Sequence, residues 1–342
     1  MALKIWQKDN HNKPYGFVLI IALLTCSLIL SPSKQYAAQK RLLAEAIKPW
    51  DELTADPQYS NSQSCRFYTL KTENGSLAAL VLLDLNDRNY ILKPFFNQRT
   101  GTVSSAVKEQ KALAGINGGF FNLSNGESTS YVVIDGKDQC DPRNNKALVE
   151  NPELKPYLET IFNRSELRIL EDSHGKRKAC ISLHKDPIPS GWTLLHSLQA
   201  GPTLLPKITD DEEIFIRKSS DGKLMDSIGA HKKAARTAIG ITHDNHILLL
   251  CVANKNQDEF SSGVTLEELA NMLRDLGCTH AINCDGGTST TMVVAEGNTR
   301  DKNTYSVNRI ISGEPEKLVK SGLIIQRTPS RIKGEYSTDL PR

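Results

Sequence analysis

The chain has 342 residues, which is long enough to bury a sizeable core in one large domain or two small ones. Hydrophobic residues make up 39% and charged residues 24% of the chain, as is typical of a soluble globular protein. Lys and Arg number 42 and Asp and Glu 39, a formal net charge of +3. This balance gives no support to nucleic acid or an anionic membrane surface as a partner.

The N-terminus has the layout of a secretory signal. Three lysines within the first 13 residues precede a nearly unbroken apolar run over residues 16–30, and two alanines follow at positions 37 and 38. We therefore expect residues 1–38 to be either a cleaved signal peptide or an uncleaved signal anchor. The remainder is expected to be exported, as a periplasmic or secreted protein that meets a membrane only through this segment.

Changes in composition divide the rest of the chain. Residues 39–64 are polar and irregular and are interpreted as a linker, and residues 327–342 as a flexible tail. A single domain is predicted over residues 65–326, with a charged insertion at about 137–195. The expected fold class is α+β, with a mixed or antiparallel β-sheet core and a few packing helices.

Six cysteines follow the apolar run, an even number that permits disulfides in an exported chain. Six cysteines allow 15 pairings, so the sequence does not identify the pattern. Among these pairings we favour Cys140 with Cys180. No pair of Cys or His residues has the spacing of zinc ligands, so no metal site is predicted.

The first regular elements are predicted after residue 64. Apolar residues over 77–85 and 90–92, separated by the turn sequence Asn86-Asp87, predict two paired strands. A short helix is predicted over 104–112, with Ser104 as its N-cap.

The stretch 114–122 reads Ala-Gly-Ile-Asn-Gly-Gly-Phe-Phe-Asn and is predicted to be an unusual strand. Three glycines around Asn117 remove bulk from one face, so a ligand or another backbone can approach closely. The alternative is a β-bulge in a core strand.

The charged stretch that follows contains fewer signals. A strand is predicted over 131–134, turning at Asp135-Gly136, and a hairpin over 167–183. Asn151 followed by Pro152 predicts the start of a short helix. His174 and His184 are interpreted as surface residues.

The later part of the chain contains the clearest periodicity. A basic loop at 231–233 runs into an apolar strand that begins at Arg236, whose guanidinium is either a solvated edge charge or a clamp for an anion. A helix is predicted over 266–276, with Thr265 and Glu268 as a capping box. A strand over 279–284 completes a crossover unit that ends at Asp285.

Asp285 stands where an apolar strand breaks into the turn Gly286-Gly287-Thr288-Ser289-Thr290-Thr291. Glycines let backbone N–H groups approach a ligand, and hydroxyls can donate to anionic oxygens. A carboxylate beside such a turn is a candidate active-site floor, whereas the plain alternative is a glycine-rich hairpin with a solvated aspartate.

Three stretches together resemble the phosphodiester glycosidase family. They are residues 115–121, 235–240 and 283–291, in the order and with the chemistry of that family. The sequence Gln-Ala-Gly-Pro at 199–202 and the helix within 263–277 add to the resemblance, which covers residues 65–326 apart from the insertion. Ala235 and Thr288 depart from the family pattern, which has Pro and Gly there, and leave the fine substrate specificity open.

The resemblance implies an exported glycosidase that hydrolyses a sugar-1-phosphodiester, similar to an N-acetylglucosamine-1-phosphodiester, in an envelope or extracellular glycan. The partner implied is therefore a phosphorylated glycan, no nucleic acid is involved, and no cofactor is indicated, although a divalent ion at the phosphate stays open. Asp285 would stabilise oxocarbenium character or act as nucleophile or base, and Arg236 would hold the phosphodiester. The further site residues are Asn117 as a third catalytic residue, Gly118, Gly119, Gln199, Gly286, Gly287, Ser289, Thr290 and Asn308 as substrate contacts, and Glu127 or His231 as acid–base groups.

Two other functions fit part of the same pattern. Residues 285–290 also match the phosphate loop of the actin-like ATPases, but those proteins carry two such loops and this chain shows one. A non-catalytic envelope module could bind a phosphorylated or anionic polysaccharide through the same cleft. Turnover of a sugar-1-phosphodiester separates the enzyme from the binding module.

Overall fold

The computed structural model describes residues 41, 43–53, 64–219, 221–253, 263–297 and 305–328. The apolar run at 16–30 and the residues from 329 onward, most of the predicted tail, lie outside this part of the chain. Within the described ranges, no helix has the length and apolar character needed to cross a membrane.

A seven-stranded sheet forms the centre of the fold. Every neighbouring pair of its strands is antiparallel. Its long apolar strands are buried on both faces, which explains why residues 246–253 are almost continuously apolar in the sequence. In spatial order the strands are β1 (Asp51–Leu53), β2 (Cys65–Lys71), β3 (Leu77–Asp84), β15 (His246–Ala253), β14 (Arg236–Thr242), β16 (Cys278–Asn283) and β11 (Thr203–Leu205).

Two five-stranded antiparallel sheets and a hairpin complete the β-structure. The first sheet has the order β7 (Lys137–Cys140), β6 (Val132–Ile134), β10 (Trp192–Gln199), β8 (Ser165–Asp172) and β9 (Arg177–Leu183). The second has the order β18 (Tyr305–Ile311), β17 (Met292–Gly297), β5 (Ala114–Asn117), β19 (Val319–Arg327) and β4 (Tyr90–Gly101). The hairpin consists of β12 (Ile216–Lys218) and β13 (Leu224–Asp226).

The helices are few and short. Those whose bounds lie within the described residues are α1 (Val103–Glu109), α2 (Lys146–Val149), α3 (Leu158–Phe162) and α4 (Leu266–Asp275), with 3-10 turns at Pro142–Asn144, Lys155–Tyr157 and Gly287–Ser289. Together with the antiparallel sheets they confirm the predicted α+β class. The capping box of α4 is present as predicted, since the Thr265 side chain accepts from the Glu268 N–H and Glu268 accepts from the Thr265 N–H.

The main core lies where one face of the seven-stranded sheet meets the two five-stranded sheets. Leu83 and Ile239 of the first sheet belong to the same buried cluster as Leu167 and Leu323 of the other two. The opposite face of the seven-stranded sheet is covered by the apolar stripe of α4. The molecule is therefore layered, and α1 closes the outer face of the sheet that contains β5.

Several local predictions need correction. The strands at 77–85 and 90–92 do not pair with each other, because β3 pairs with β2 and β15 while β4 pairs with β19 in another sheet. The N-cap of α1 is Thr102 and not Ser104. No helix begins at Pro152 within the described segment, where Asn145 caps α2 instead.

The ranges interpreted as a linker and an insertion both contain strands. Within 39–64, β1 pairs with β2 at the edge of the central sheet. Within 137–195, β7, β8, β9 and the first half of β10 form a sheet with β6, and the predicted hairpin is confirmed as β8 and β9. The turn at Asp135-Gly136 is also confirmed, since both residues have positive φ angles.

A disulfide between Cys140 and Cys180 is wrong for this fold. Cys140 lies on β7 and Cys180 on β9, the two opposite edges of one five-stranded sheet. Four inter-strand spacings separate them by roughly 19 Å, far beyond the reach of a disulfide. All six cysteines in the described residues are free thiols.

Candidate active site

Asp285 follows the last strand of the strand–helix–strand crossover unit that the sequence predicts. Strands β15 and β16 both run antiparallel to β14, which lies between them, so they point in the same direction and α4 connects them. The last residue of β16 is Asn283, and the buried Cys284 separates it from Asp285. The carboxylate therefore stands at the end of a central strand and is partly buried.

Asn117 joins the three stretches that carry the family resemblance. Its amide nitrogen donates to the backbone oxygen of Asp285 at 2.6 Å. Its side-chain oxygen accepts from the Thr237 hydroxyl at 2.7 Å and from the Thr291 N–H at 3.0 Å. With no solvent exposure and these three bonds, Asn117 fixes the position of the turn and does not itself face a substrate.

The turn after Asp285 packs directly on the start of β14. Asp285 N–H donates to the Gly118 oxygen, and Gly287 N–H donates to the Ala235 oxygen, both at 2.8 Å. A side chain on Gly286 would lie 2.8 Å from that same Ala235 oxygen, and Gly287 has a φ of +57°. These two positions therefore require glycine for close packing and for the left-handed backbone, respectively.

Gly118 and Gly119 also face protein and leave no room for a sugar ring, contrary to the prediction that they open a binding space. A Cβ on Gly118 would lie 2.8 Å from Gly322 Cα, and one on Gly119 would lie 2.6 Å from the Gln199 oxygen. The glycine face thus lets β19 and the end of β10 approach β5. The sequence left open whether a ligand or another backbone approaches the glycine face, and the structure shows another backbone there.

We predict that Gly118→Ala destabilises the protein by about 1–3 kcal/mol, because the added methyl group also meets Leu198 Cδ2 at 2.7 Å. Activity should fall as well, since the Gly118 oxygen anchors Asp285. Thermal unfolding monitored by circular dichroism measures the first effect. Gly313→Ala is the matched control, because the nearest atom to its new methyl group would be 3.4 Å away. Equal melting temperatures for the two variants would contradict this account.

Arg236 has a different role from the predicted phosphate clamp. Its Nε donates to the Val264 oxygen at 3.0 Å and its Nη1 to the Ile228 oxygen at 2.8 Å. Its Nη2 donates to the Gly229 oxygen at 2.7 Å and to the Lys232 oxygen at 2.9 Å. Four of the five guanidinium N–H groups thus bind backbone carbonyls, and the residue is only 2% exposed.

Burial lowers the pKa of Arg236 to about 10, and the charge of Asp226 opposes this shift. The group is therefore still a cation at neutral pH, held by carbonyl dipoles. In the structure, its hydrogen bonds anchor the loop 228–232, which adjoins the Asp285 turn.

The other predicted contacts are divided between the interior and the surface. Gln199 is buried, accepts from the Tyr131 N–H, and donates to the oxygens of Phe162 and Arg164. Ser289 and Thr290 are also buried within the turn. Three predicted site residues are exposed, namely Glu127, His231 and Asn308.

The exposed residues lie on three different parts of the fold. Glu127 bonds within its own loop, where its carboxylate accepts from Asn125. Asn308 lies on β18, opposite Val294 of β17. His231 belongs to the loop that Arg236 anchors.

The two thiols in this region are not candidate nucleophiles. Cys284 precedes Asp285, and Cys251 lies opposite Thr237 on β15. Complete burial raises the pKa of Cys251 to about 12 and that of Cys284 well above its ordinary value. Both thiols therefore stay protonated at neutral pH and lack the thiolate that a nucleophilic cysteine needs.

Sequence reasoning missed two buried residues that shape this region. Thr237 is fully buried and orients Asn117 through its hydroxyl. Glu213 is 3% exposed and accepts from Ser165 and Thr203 beside the loop Gly201-Pro202. Thr237 lies in the family-like stretch 235–240 and could have been predicted as a site residue on that basis. Glu213 lies in an acidic run with no distinguishing pattern.

The match to a family model places this fold and turn among the hydrolases. Residues 110–326, more than half of the chain, match the model described as phosphodiester glycosidase. The chain belongs to the phosphodiester glycosidase family. No curated protein matches it by sequence comparison.

Solved structures show the same fold at low sequence identity. One is the catalytic domain of zebrafish N-acetylglucosamine-1-phosphodiester α-N-acetylglucosaminidase, auto-inhibited by its pro-peptide. It is 16% identical to this chain with a TM-score of 0.53, and the match covers 84% of this chain and 91% of that one. A hypothetical protein from Synechocystis is 15% identical with a TM-score of 0.53, covering 82% of this chain. The match spans 64% of the Synechocystis chain. A putative exported protein from Burkholderia pseudomallei K96243 is 16% identical with a TM-score of 0.51, covering 73% of this chain and 74% of that one.

Proposed function

We propose that the protein is an exported enzyme that hydrolyses a sugar-1-phosphodiester within a phosphorylated envelope or extracellular glycan. In this reaction the bond between the anomeric carbon and the phosphate oxygen breaks. Water supplies a hydroxyl group to the sugar and a proton to the other product, so that a free sugar and a phosphate monoester are released. The observation that carries the proposal is the partly buried Asp285 on its anchored turn, in a chain that belongs to this family.

Asp285 supplies the negative charge that the reaction needs. As the C–O bond breaks, the sugar ring gains oxocarbenium character, which a nearby carboxylate stabilises. The turn holds this carboxylate rigidly through the backbone bonds of Asp285 to Gly118 and Asn117. A phosphate is already a good leaving group, so the reaction depends less on a strong general acid than the hydrolysis of an ordinary glycoside.

The phosphate needs a cation, and Arg236 is occupied by carbonyl groups. The loop that it anchors presents His231, Lys232 and Lys233 at the surface. This loop adjoins the Asp285 turn through the bond between Ala235 and Gly287. We assign the phosphate contact to His231 and Lys232, because Lys233 already pairs with Glu268 at 3.7 Å.

The proposals that the protein is exported and that its substrate is a glycan are based on the sequence. The lysines and the apolar run at 16–30 have the order of a secretory signal. An exported hydrolase of this family would meet the phosphorylated polymers of an envelope or extracellular matrix, and these are the proposed partners.

Incubation of the protein with a methyl phosphodiester of N-acetylglucosamine 1-phosphate, and with the corresponding glucose and mannose diesters, tests the proposal. Free sugar and methyl phosphate are expected as equimolar products. Release of the sugar 1-phosphate instead would show cleavage on the other side of the phosphate and would contradict the mechanism. Binding of an anionic polysaccharide without turnover of any diester would favour the non-catalytic module.

A further inference from the structure

We propose that a cleft beside the candidate active site binds an uncharged sugar unit of the substrate glycan. The identity of the ligand as part of the glycan rests on the proposed function, whereas the cleft is an observation of its own. It has a volume of about 620 Å³, within the usual range for small-molecule sites. Neither Asp285 nor its turn lines it.

Two parts of the chain form the walls of this cleft. One wall comes from the range 137–195, with Glu159 and Thr160 on α3 and residues 182, 183, 185 and 186 at and after the end of β9. The other wall comes from β11 and the following loop, with Thr203, Thr209 and Glu213. The cleft thus lies between the charged segment and the seven-stranded sheet, where a specificity site can form without altering the Asp285 turn.

The floor of the cleft is rigid and polar. Glu213 Oε1 accepts from the Ser165 hydroxyl at 2.8 Å, the Thr203 N–H at 2.9 Å and the Thr209 hydroxyl at 2.5 Å. Its Oε2 accepts from the Ser165 N–H at 2.8 Å. These bonds orient the hydroxyl groups, whose oxygens keep lone pairs for further donors. In the wall, the Ser182 hydroxyl oxygen is buried and lacks a hydrogen-bond partner among the described residues.

The charges of the lining residues favour an uncharged ligand. Four carboxylates line the cleft against the single ammonium of Lys185, which pairs with Glu159 at 2.6 Å. A phosphate would be repelled here, while the hydroxyl groups of a sugar can donate to carboxylate and hydroxyl oxygens. The cleft therefore complements the basic loop at 231–233, to which the phosphate is assigned.

The cleft and Asp285 share one rigid frame. Thr203 on β11 pairs with Ile282 on β16, three residues before Asp285. The Asn283 N–H donates to the Pro202 oxygen and its side-chain amide to the Gly201 oxygen, both at 2.9 Å. A glycan bound at both places would have its neutral sugar and its phosphodiester held in a fixed relation, which lowers the entropic cost of reaching the reactive geometry.

Two cleft-filling variants test this proposal in the full-length protein. Ser182→Tyr and Thr160→Trp each place a ring in the cleft, and Ser173→Tyr, in the exposed turn between β8 and β9, is the matched control. The probes are uncharged trisaccharides of N-acetylglucosamine, glucose and mannose, and N-acetylglucosamine 1-phosphate as the anionic comparison. Calorimetry measures binding, and thermal unfolding confirms that each variant folds.

At least one uncharged trisaccharide is expected to bind the unmodified protein and Asp285→Asn with equal affinity. Its Kd should rise at least tenfold in Ser182→Tyr and Thr160→Trp and stay unchanged in Ser173→Tyr. Turnover of the methyl phosphodiester should be unaffected by all three. No binding of any trisaccharide, equal binding by the folded cleft variants, or displacement of the trisaccharide by the 1-phosphate from the cleft would overturn the proposal. Trisaccharide binding without any diester turnover would refute the enzyme and leave the cleft assignment intact.

Discussion

Asp285→Asn is expected to lower kcat for a sugar-1-phosphodiester by at least about a thousandfold, since it removes the negative charge to which we assign stabilisation of the transition state. The substrate Kd should change little, because the neutral amide still fits the space of the carboxylate. The measurement is the rate of free sugar release under saturating substrate. A variant that retains more than about a tenth of the original kcat would refute the assignment of Asp285.

The same substitution should leave the fold intact. The turn is held by the backbone of Asp285, which bonds to Gly118 and to the Asn117 side chain. The carboxylate accepts from the Gly286 N–H at 3.0 Å, and an asparagine oxygen can accept the same bond. We therefore expect a change in unfolding free energy within about 0.5 kcal/mol. Asp138→Asn, at an exposed carboxylate of β7, is the control for an ordinary loss of charge.

The sequence predicted the meeting of the three family stretches because local patterns determine where each strand ends. The capping box of α4 and the apolar run before Asp285 place the carboxylate at the end of β16. The strand that ends at Asn117 and the strand that begins at Arg236 were predicted from similar local signals. Antiparallel pairing then brings these ends together.

The roles of the individual side chains could not be predicted in the same way. The N–H groups of Arg236 donate to backbone carbonyls of the loop 228–232 and of Val264. Whether these carbonyls or a phosphate accept those hydrogen bonds depends on how segments distant in the sequence pack around the guanidinium. The space beside Gly118 is likewise filled by Gly322, more than two hundred residues later in the chain. A glycine that admits a ligand and one that admits a backbone have the same appearance in a sequence.

Arg236→Ala is expected to destabilise the protein by about 3–5 kcal/mol, because four carbonyl groups lose a charged donor in a buried site. This should lower the melting temperature by roughly 10 °C. Arg236→Lys should recover only part of the loss, since a single ammonium cannot reproduce the planar fork of a guanidinium. Thermal and urea-induced unfolding measure both variants.

Kinetics at low temperature, where these variants remain folded, distinguish an anchor from a clamp. As an anchor, Arg236 affects turnover through the position of the loop 228–232, so its variants should lose stability and activity together and be cleaved faster by protease in that loop. Lys232→Ala is the matched control, because it removes an exposed cation of the same loop and should raise KM with little change in stability. A fully stable Arg236→Ala protein with a greatly raised KM would instead show that the guanidinium turns to the phosphate in the substrate complex.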